Sequence, residues 1–186
     1  MKNKRFICYF SMVLILIYVF ALGIFVYGKN IIGISMSIFC IMGLLLLRFL
    51  NKQMSSLVDD NLFIVLNLFM LFASVLGSGF GFYNINYYDD FLHLWSGFIA
   101  VSAGLSILRV TNNNLPTTKI FAIVFLVVFG LAIGSIWEIY EYLMDMVVKT
   151  NMQAGGLVDS MIDMMDGFLG SSIMIGILYF KGDLHR

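Results

Sequence analysis

The sequence predicts an all-α protein that crosses a membrane six times, with both termini in the cytoplasm. Apolar residues make up 61% of the 186-residue chain and charged residues only 12%, against roughly 25% charged residues in a soluble domain. The apolar residues also form six runs, each close to the about 20 residues that a helix needs to span a bilayer. Together they predict one membrane domain, residues 1–186, with spans at 6–28, 31–50, 61–82, 90–110, 119–144 and 160–180.

The first two runs have simple flanks. The first follows the basic segment MKNKR (residues 1–5), is longer than the about 7–15-residue core of a signal peptide, and has no A-x-A-like cleavage site after it. We therefore expect the first run to be a retained helix.

The second run is followed by polar residues that include Lys52. The NNNLP segment (residues 112–116), between the fourth and fifth runs, is predicted to be a turn.

Lysine and arginine determine the predicted orientation, because they concentrate in the cytoplasmic loops of membrane proteins. With the N-terminus inside, only Lys29 and Lys149 fall on the outer side, which leaves nine of the 11 basic residues inside. An odd number of spans would place basic residues on both sides of the membrane and remove this bias, which supports six spans. We therefore expect a multi-pass protein of the cell membrane (inner or plasma membrane) with cytoplasmic termini. The nine inner residues are Lys2, Lys4, Arg5, Arg48, Lys52, Arg109, Lys119, Lys181 and Arg186.

Spans three to six have acidic residues at their ends. Asp59 and Asp60 precede span three on the predicted inner side, where Asp183 also lies. The other eight acids fall at the predicted outer ends of the last three spans, with His93 one turn into span four. They are Asp89 and Asp90 in span four, Glu138, Glu141 and Asp145 in span five, and Asp159, Asp163 and Asp166 in span six.

Helical spacing places these acids on the same helix faces as small residues. In span four, for example, Asp89 and His93 share a face with Gly97. Small residues at this spacing allow membrane helices to approach closely, so we expect the acids to point inward between spans four, five and six. The full stripes are Asp89, His93, Gly97, Ala100 and Gly104; Asp145, Glu141, Glu138, Gly134 and Gly130; and Asp159, Asp163, Asp166 and Gly170.

The charge balance of this group predicts a ligand. Lys149 is the only basic residue nearby in the sequence, and carboxylates in a partly dry site require protons, a divalent cation or a cationic ligand. Carboxylates with one imidazole suit Mg, Mn, Zn or Ca. Asp89 and His93 are also candidate catalytic residues, as ligand or general base. The candidate metal ligands are Glu138, Glu141, Asp159, Asp163, His93 and Asp166.

Simpler roles compete with this interpretation. Glu138 and Glu141 could be solvated acids at a wet helix end, and His93 could be a packing residue that donates to a carbonyl. Asp159 could cap a helix, although capping does not explain Asp163 or the later Asp166. Elsewhere, Asn67 in span three is expected to form a hydrogen bond between helices.

Three segments resemble the YjdF-like inner-membrane proteins and, more distantly, the VanZ-like proteins. They are YDDFLHLWSGF (88–98), WEIYEY (137–142) and DSMIDMMDGFLG (159–170), and the resemblance covers spans four to six, roughly half of the chain. The resemblance implies a membrane protein and supports a site in these spans, and it names no reaction. Asp166 departs from the family pattern. The matching residues are Tyr88, Asp89, His93, Gly97, Phe98, Glu138, Glu141, Asp159, Asp163 and Gly170.

Three functions are open from the sequence. The first is a metal-dependent enzyme that acts on a lipid or polyprenyl head group in the outer leaflet. The second is a non-enzymatic binder of a cationic envelope ligand or a partner helix. The third is an ion or proton-coupled transporter, which is disfavoured because the inner halves of spans four to six have no ionisable residue. The lipid bilayer is the expected partner and nucleic acid is not. Nucleotide-binding, serine-hydrolase and zinc-protease motifs are not found.

Overall fold

The computed structural model describes residues 2–111, 118–153 and 155–185, and these residues are helical apart from short connections. Six helices are long and apolar enough to cross a membrane, which confirms the predicted fold class. The NNNLP segment lies outside the described residues. The helices are α1 (Lys2–Tyr27), α2 (Ile31–Gln53), α3 (Asp60–Met70) with a π-helical continuation (Leu71–Gly79), α4 (Tyr88–Thr111), α5 (Lys119–Val148) and α6 (Leu157–Lys181), with short 3₁₀ turns at Phe82–Asn84 and Asp183–His185.

Helices α5 and α3 differ in extent from the sequence prediction. Helix α5 continues to Val148, and its 30 residues give a length of about 45 Å. That exceeds the hydrocarbon thickness of about 30 Å, so α5 tilts or extends beyond the apolar layer at its ends. Helix α3 begins with the Asp59 side chain accepting a hydrogen bond from the backbone N–H of Leu62 at 2.8 Å. It ends in the π-helical segment.

The chain forms two compact units, Met1–Tyr88 and Asp89–Arg186. Each unit has its own apolar core, and the prediction of one membrane domain stays a prediction. The first core contains Ile7, Leu14, Tyr18, Ala21, Phe25, Cys40, Leu44, Val58, Phe63 and Val75. The second contains Val101, Leu105, Leu108, Ala122, Leu126, Ile175, Leu178 and Leu184.

Asn67 in the first unit takes part in a hydrogen bond between helices, as expected. The Tyr18 hydroxyl on α1 donates to the backbone carbonyl of Asn67 on α3 at 3.3 Å. The side-chain amide of Asn67 donates instead to the carbonyl of Phe63 in its own helix at 2.7 Å. The bond between the helices therefore uses the backbone of Asn67.

Small residues in the second unit bring α4 and α6 into backbone contact. A Cβ atom on Gly97 would collide with the carbonyl oxygen of Gly167 and would lie 2.7 Å from the backbone nitrogen of Ser171. A Cβ atom on Gly170 would collide with the carbonyl oxygen of Leu94. The Ser171 hydroxyl completes the contact by donating to the carbonyl of Gly97 at 3.3 Å. Side chains that precede these positions on α4 and α6 are therefore held close together.

The predicted stripe on α5 is only partly a contact surface. Gly130 packs against the Ser171 side chain, whereas a Cβ atom on Gly134 would meet no atom within 4 Å. Gly134 thus lies outside the contact between α5 and α6. Gly167 on α6, which was not part of a predicted stripe, lies in the contact between α4 and α6. Helical phase identifies the correct face of a helix, but the crossing point decides which of its small residues are needed.

The other end of the second unit is basic. The Arg109 guanidinium donates to the carbonyl of Asp183 at 3.2 Å, and the Lys119 ammonium lies 5.8 Å from the centre of the Tyr179 ring. Leu184, in the final 3₁₀ turn, is buried in the core of this unit. Arg109, Lys119 and Lys181 therefore lie at the end of α4, α5 and α6 opposite the acid group, where Asp183 is the one acid, and Lys149 is the basic residue at the acidic end among the described residues.

Candidate functional site

The acidic end of the second unit is built from the start of α4, the last third of α5 and the start of α6. The backbone contact between α4 and α6 places His93 and Asp163 just above the glycine crossing. Both side chains are buried, as is Glu138 on α5. A buried carboxylate is costly in a membrane helix and is typical of a functional position. The geometry around these three residues therefore determines what the end of this unit can bind.

Asp89, His93 and Asp163 converge on one point. The His93 Nε2 atom lies 3.5 Å from Oδ1 of Asp89 and 3.8 Å from Oδ1 of Asp163. One ligand atom from each of the three residues lies within 4.8 Å of the other two. Asp163 and His93 are nearly inaccessible, whereas the Asp89 side chain is 42% exposed. The group is thus closed toward the core and open on the Asp89 side.

The two distances from His93 fit the spacing of ligands around one ion better than the length of a normal hydrogen bond. Both contacts are longer than the about 2.7–3.2 Å of a normal hydrogen bond from nitrogen to oxygen. Two donors bound to one ion at about 2.1 Å with a tetrahedral angle lie roughly 3.4 Å apart. The observed separations are close to that value, so a small inward adjustment of the side chains would let one divalent ion contact all three residues.

Glu138 is the second notable feature. Its side chain is only 6% exposed, and neither carboxylate oxygen is hydrogen-bonded to any described protein group. It lies within electrostatic range of His93, Asp163 and Glu141. A buried charge without partners is among the most costly arrangements in a protein. This carboxylate therefore requires a cationic partner or a proton.

The remaining predicted ligands lie around this centre. Glu141 is half-buried, accepts a hydrogen bond from the Trp137 side chain and lies within electrostatic range of Asp89. Asp159 accepts a hydrogen bond from the backbone N–H of Gly155 at 3.2 Å and also lies within electrostatic range of Asp163. Neither is part of the three-residue group. Asp159 is thus partly engaged by the backbone, whereas Glu141 is held beside Glu138.

Asp166 lies against Asp90, carboxyl to carboxyl, outside the three-residue group. The two residues belong to α6 and α4, and both are half-buried. Asp166 lies three positions after Asp163 and therefore on a neighbouring part of the same helix face. Its carboxyl contacts Asp90 and remains within electrostatic range of His93, so the structure pairs Asp166 with Asp90 at the edge of the three-residue group.

The loop between α5 and α6 contributes Gln153, a residue that was not among the predicted site residues, and its shape is fixed by Asp145 at the end of α5. The Asp145 carboxylate accepts hydrogen bonds from the Thr150 hydroxyl and from the backbone N–H groups of Met152 and Gln153 at 2.5–2.9 Å. The Gln153 amide donates to the Ser160 hydroxyl at 2.7 Å and to the carbonyl of Glu138 at 3.3 Å. This loop therefore ties α5 to α6 directly beside Glu138.

No local pattern in the sequence signalled the contribution of Gln153. It lies eight residues after Asp145 in a polar loop, and it reaches α6 only because the loop folds back on the end of α5. Lys149 ends α5 with a left-handed backbone (φ 64°), which makes that reversal. An Asp in the last turn followed by a short polar loop is the signal that could have pointed to such a closure.

Two comparisons place the chain among known proteins. The family described as "Predicted membrane protein (DUF2238)" matches residues 8–183. A protein of Thermotoga maritima described as uncharacterized is 29% identical over 112 residues, which cover 58% of this chain. The chain spans 56% of the length of that relative. No solved structure matches.

Proposed function

We propose that this chain, which belongs to the DUF2238 family of predicted membrane proteins, binds one divalent cation through Asp89, His93 and Asp163. The convergence of two carboxylate oxygens on one imidazole nitrogen at 3.5 and 3.8 Å supports this proposal. The donor set favours Zn, Mn or Mg over a soft metal, because two of its three members are hard oxygen ligands. Naming the chain YjdF-like or VanZ-like stays a prediction.

We further propose that the ion serves an enzyme that acts on a phosphate-bearing lipid or polyprenyl head group. The group opens through Asp89 at the ends of apolar helices, where head groups of the bilayer lie. No described lysine or arginine lies within ion-pair distance of these acids. An anionic head group would therefore need the ion to overcome the repulsion of the carboxylates.

Hydrolysis is the reaction class that this arrangement supports best. A divalent ion polarises a phosphoryl oxygen and activates water. The water oxygen would form the new bond to phosphorus while the bond to the lipid oxygen breaks, and the departing oxygen would take up the proton that the water loses. The exposed carboxylate of Asp89 is the group in this chain that can accept a proton at the open side of the site.

The distribution of basic residues supports an outward-facing site in the cell membrane, with both termini in the cytoplasm. A cysteine at the exposed Asn151 should react with a membrane-impermeant thiol reagent in intact cells, whereas a cysteine at the exposed Gln53 should react only after permeabilisation. Cys40 is buried and Cys8 lies within α1, so the unsubstituted chain provides the background. The reverse labelling pattern would place the site on the cytoplasmic side.

The metal-binding proposal is tested by elemental analysis of purified protein loaded with zinc or manganese and then freed of excess ion. We expect one or more ions per chain in the wild type. We expect at least a tenfold lower affinity in Asp163→Asn and His93→Ala, because each removes one donor from a three-donor set. Asp183→Asn is the matched control, because it removes a carboxylate in the 3₁₀ turn that follows α6, at the end of that helix opposite Asp163. An ion content that is the same in all four proteins would refute the site.

The proposed hydrolysis of a phosphate-bearing lipid is tested by a separate measurement of product release. Protein reconstituted in vesicles that contain a phosphate-bearing lipid should release phosphate or head group only when the ion is present. Binding of the vesicles' head groups that requires the ion, without release, would identify a binding protein. Ion flux across the vesicle membrane that disappears in Asp163→Asn would instead favour the transporter.

A further inference from the structure

We propose that the site holds a second cation, bound by Glu138 and Glu141 and linked to the first through Asp163. This inference rests on the proposed function, because it adds an ion to the same site. Its starting observation is independent of the three-residue group. Both oxygens of the Glu138 carboxylate are buried without a hydrogen-bond partner among the described residues, and Glu138 belongs to no set of donors around the first ion.

The position of Glu138 indicates what would satisfy it. It is within electrostatic range of three groups, and two of them, Glu141 and Asp163, are themselves carboxylates. Glu138 and Glu141 are three residues apart on α5, so both side chains lie on one helix face. Asp163 contacts His93 through Oδ1, so that contact does not use its other oxygen. Among the described residues only Asp89, His93 and Asp163 have three ligand atoms within 4.8 Å of one another. The oxygens of Glu138, Glu141 and Asp163 must therefore move closer together than they are in this structure to share an ion.

Charge counting shows what one divalent ion leaves unbalanced when all four acids are ionised. Asp89, Glu138, Glu141 and Asp163 together provide up to four negative charges, and one divalent ion supplies two positive charges. The remaining two would belong to Glu138 and Glu141, one buried and one half-buried. The burial of Glu138 disfavours a bulky ammonium head group, since its oxygens are shielded from solvent. A small cation satisfies the same charge in less space.

A pair of ions would also suit the proposed chemistry. Two metal ions about 3.5–4 Å apart stabilise both the attacking and the leaving oxygen in phosphoryl transfer. A carboxylate with two free oxygens is the group that joins two such ions, and Asp163 contacts His93 through Oδ1 while lying within electrostatic range of Glu138. The Trp137 bond to Glu141 would fix the orientation of one of the outer ligands.

The test uses the full chain in detergent, with manganese as the only added metal. We expect two manganese ions per chain by elemental analysis and an exchange-coupled signal in electron paramagnetic resonance. In Glu138→Gln the stoichiometry should fall to one ion, and only the six-line signal of an isolated ion should remain. Glu141→Gln should weaken the second ion about 10- to 100-fold while the first remains. Asp183→Asn should match the wild type.

The outcomes separate this inference from the function on which it rests. One ion per chain in the wild type, with no change in Glu138→Gln, would overturn the second site and leave the first intact. Absence of manganese from the wild type would refute the proposed function itself. The spectrum of the wild type decides the question without any variant, so a poorly folded Glu138→Gln does not prevent a decision.

Discussion

Gly170→Ala is expected to destabilise the protein by about 1–3 kcal/mol, the usual cost of forcing an extra methyl group into a packed contact. The new Cβ atom would collide with the carbonyl oxygen of Leu94. Because that obstacle is backbone, no side chain can rotate away, and α4 and α6 must separate. The same separation moves Asp163 away from His93, so the affinity for a divalent ion should fall together with the melting temperature.

Gly176→Ala provides the matched control on the same helix. A Cβ atom there would meet nothing within 4 Å, so the change tests only the helix propensity, which favours alanine by about 1 kcal/mol. Thermal unfolding in detergent should therefore show a lower melting temperature for Gly170→Ala and an equal or higher one for Gly176→Ala. Equal melting temperatures and ion affinities for Gly170→Ala and wild type would show that the close contact is dispensable.

Glu138→Met is expected to change the stability in opposite directions with and without a divalent ion. Without an ion, the variant removes a buried carboxylate that has no partner, and an apolar residue of similar volume should raise stability by about 1–4 kcal/mol. With saturating ion, the wild type gains stability from binding. The variant gains less because it lacks a ligand. The ranking of the two melting temperatures should therefore reverse when the ion is added.

Glu141→Met separates burial from charge in this experiment. Glu141 is half-buried and accepts a hydrogen bond from Trp137, so its replacement relieves less cost without the ion and removes one favourable contact. Its stability change should be smaller than that of Glu138→Met under both conditions. If Glu138→Met were the less stable protein with and without the ion, Glu138 would be a structural residue and its burial would have another cause.

The sequence was sufficient to predict the six helices and the set of candidate site residues. It did not show which of these residues contact one another. Six apolar runs and one stripe on α4 (Asp89, His93 and Gly97) follow from length and helical period, and the structure confirms both. The stripe on α5 was predicted less well, because Gly134 has the right phase and no neighbour. Phase depends only on local spacing, whereas a neighbour depends on where two helix axes cross.

The roles of the individual acids also depend on where helices meet, and not on spacing along one helix. Helical spacing does not distinguish Asp163 from Asp166, which are three residues apart on one helix, and only the resemblance to the YjdF-like proteins set Asp166 apart. In the structure Asp163 lies beside His93, while Asp166 lies against Asp90. Gln153 is a stronger case, because its contacts with Ser160 and the carbonyl of Glu138 depend on a loop reversal at Lys149.

The sequence was sufficient to predict an all-helical membrane protein with acids at one end of its last three helices. Apolar length and charge position are properties of single segments, and they govern how each segment inserts into a bilayer. The contact among Asp89, His93 and Asp163, and the burial of Glu138 without a hydrogen-bond partner among the described residues, became visible only in the folded structure. Those facts depend on backbone contacts between helices at Gly97 and Gly170, and such contacts arise only when the helices pack.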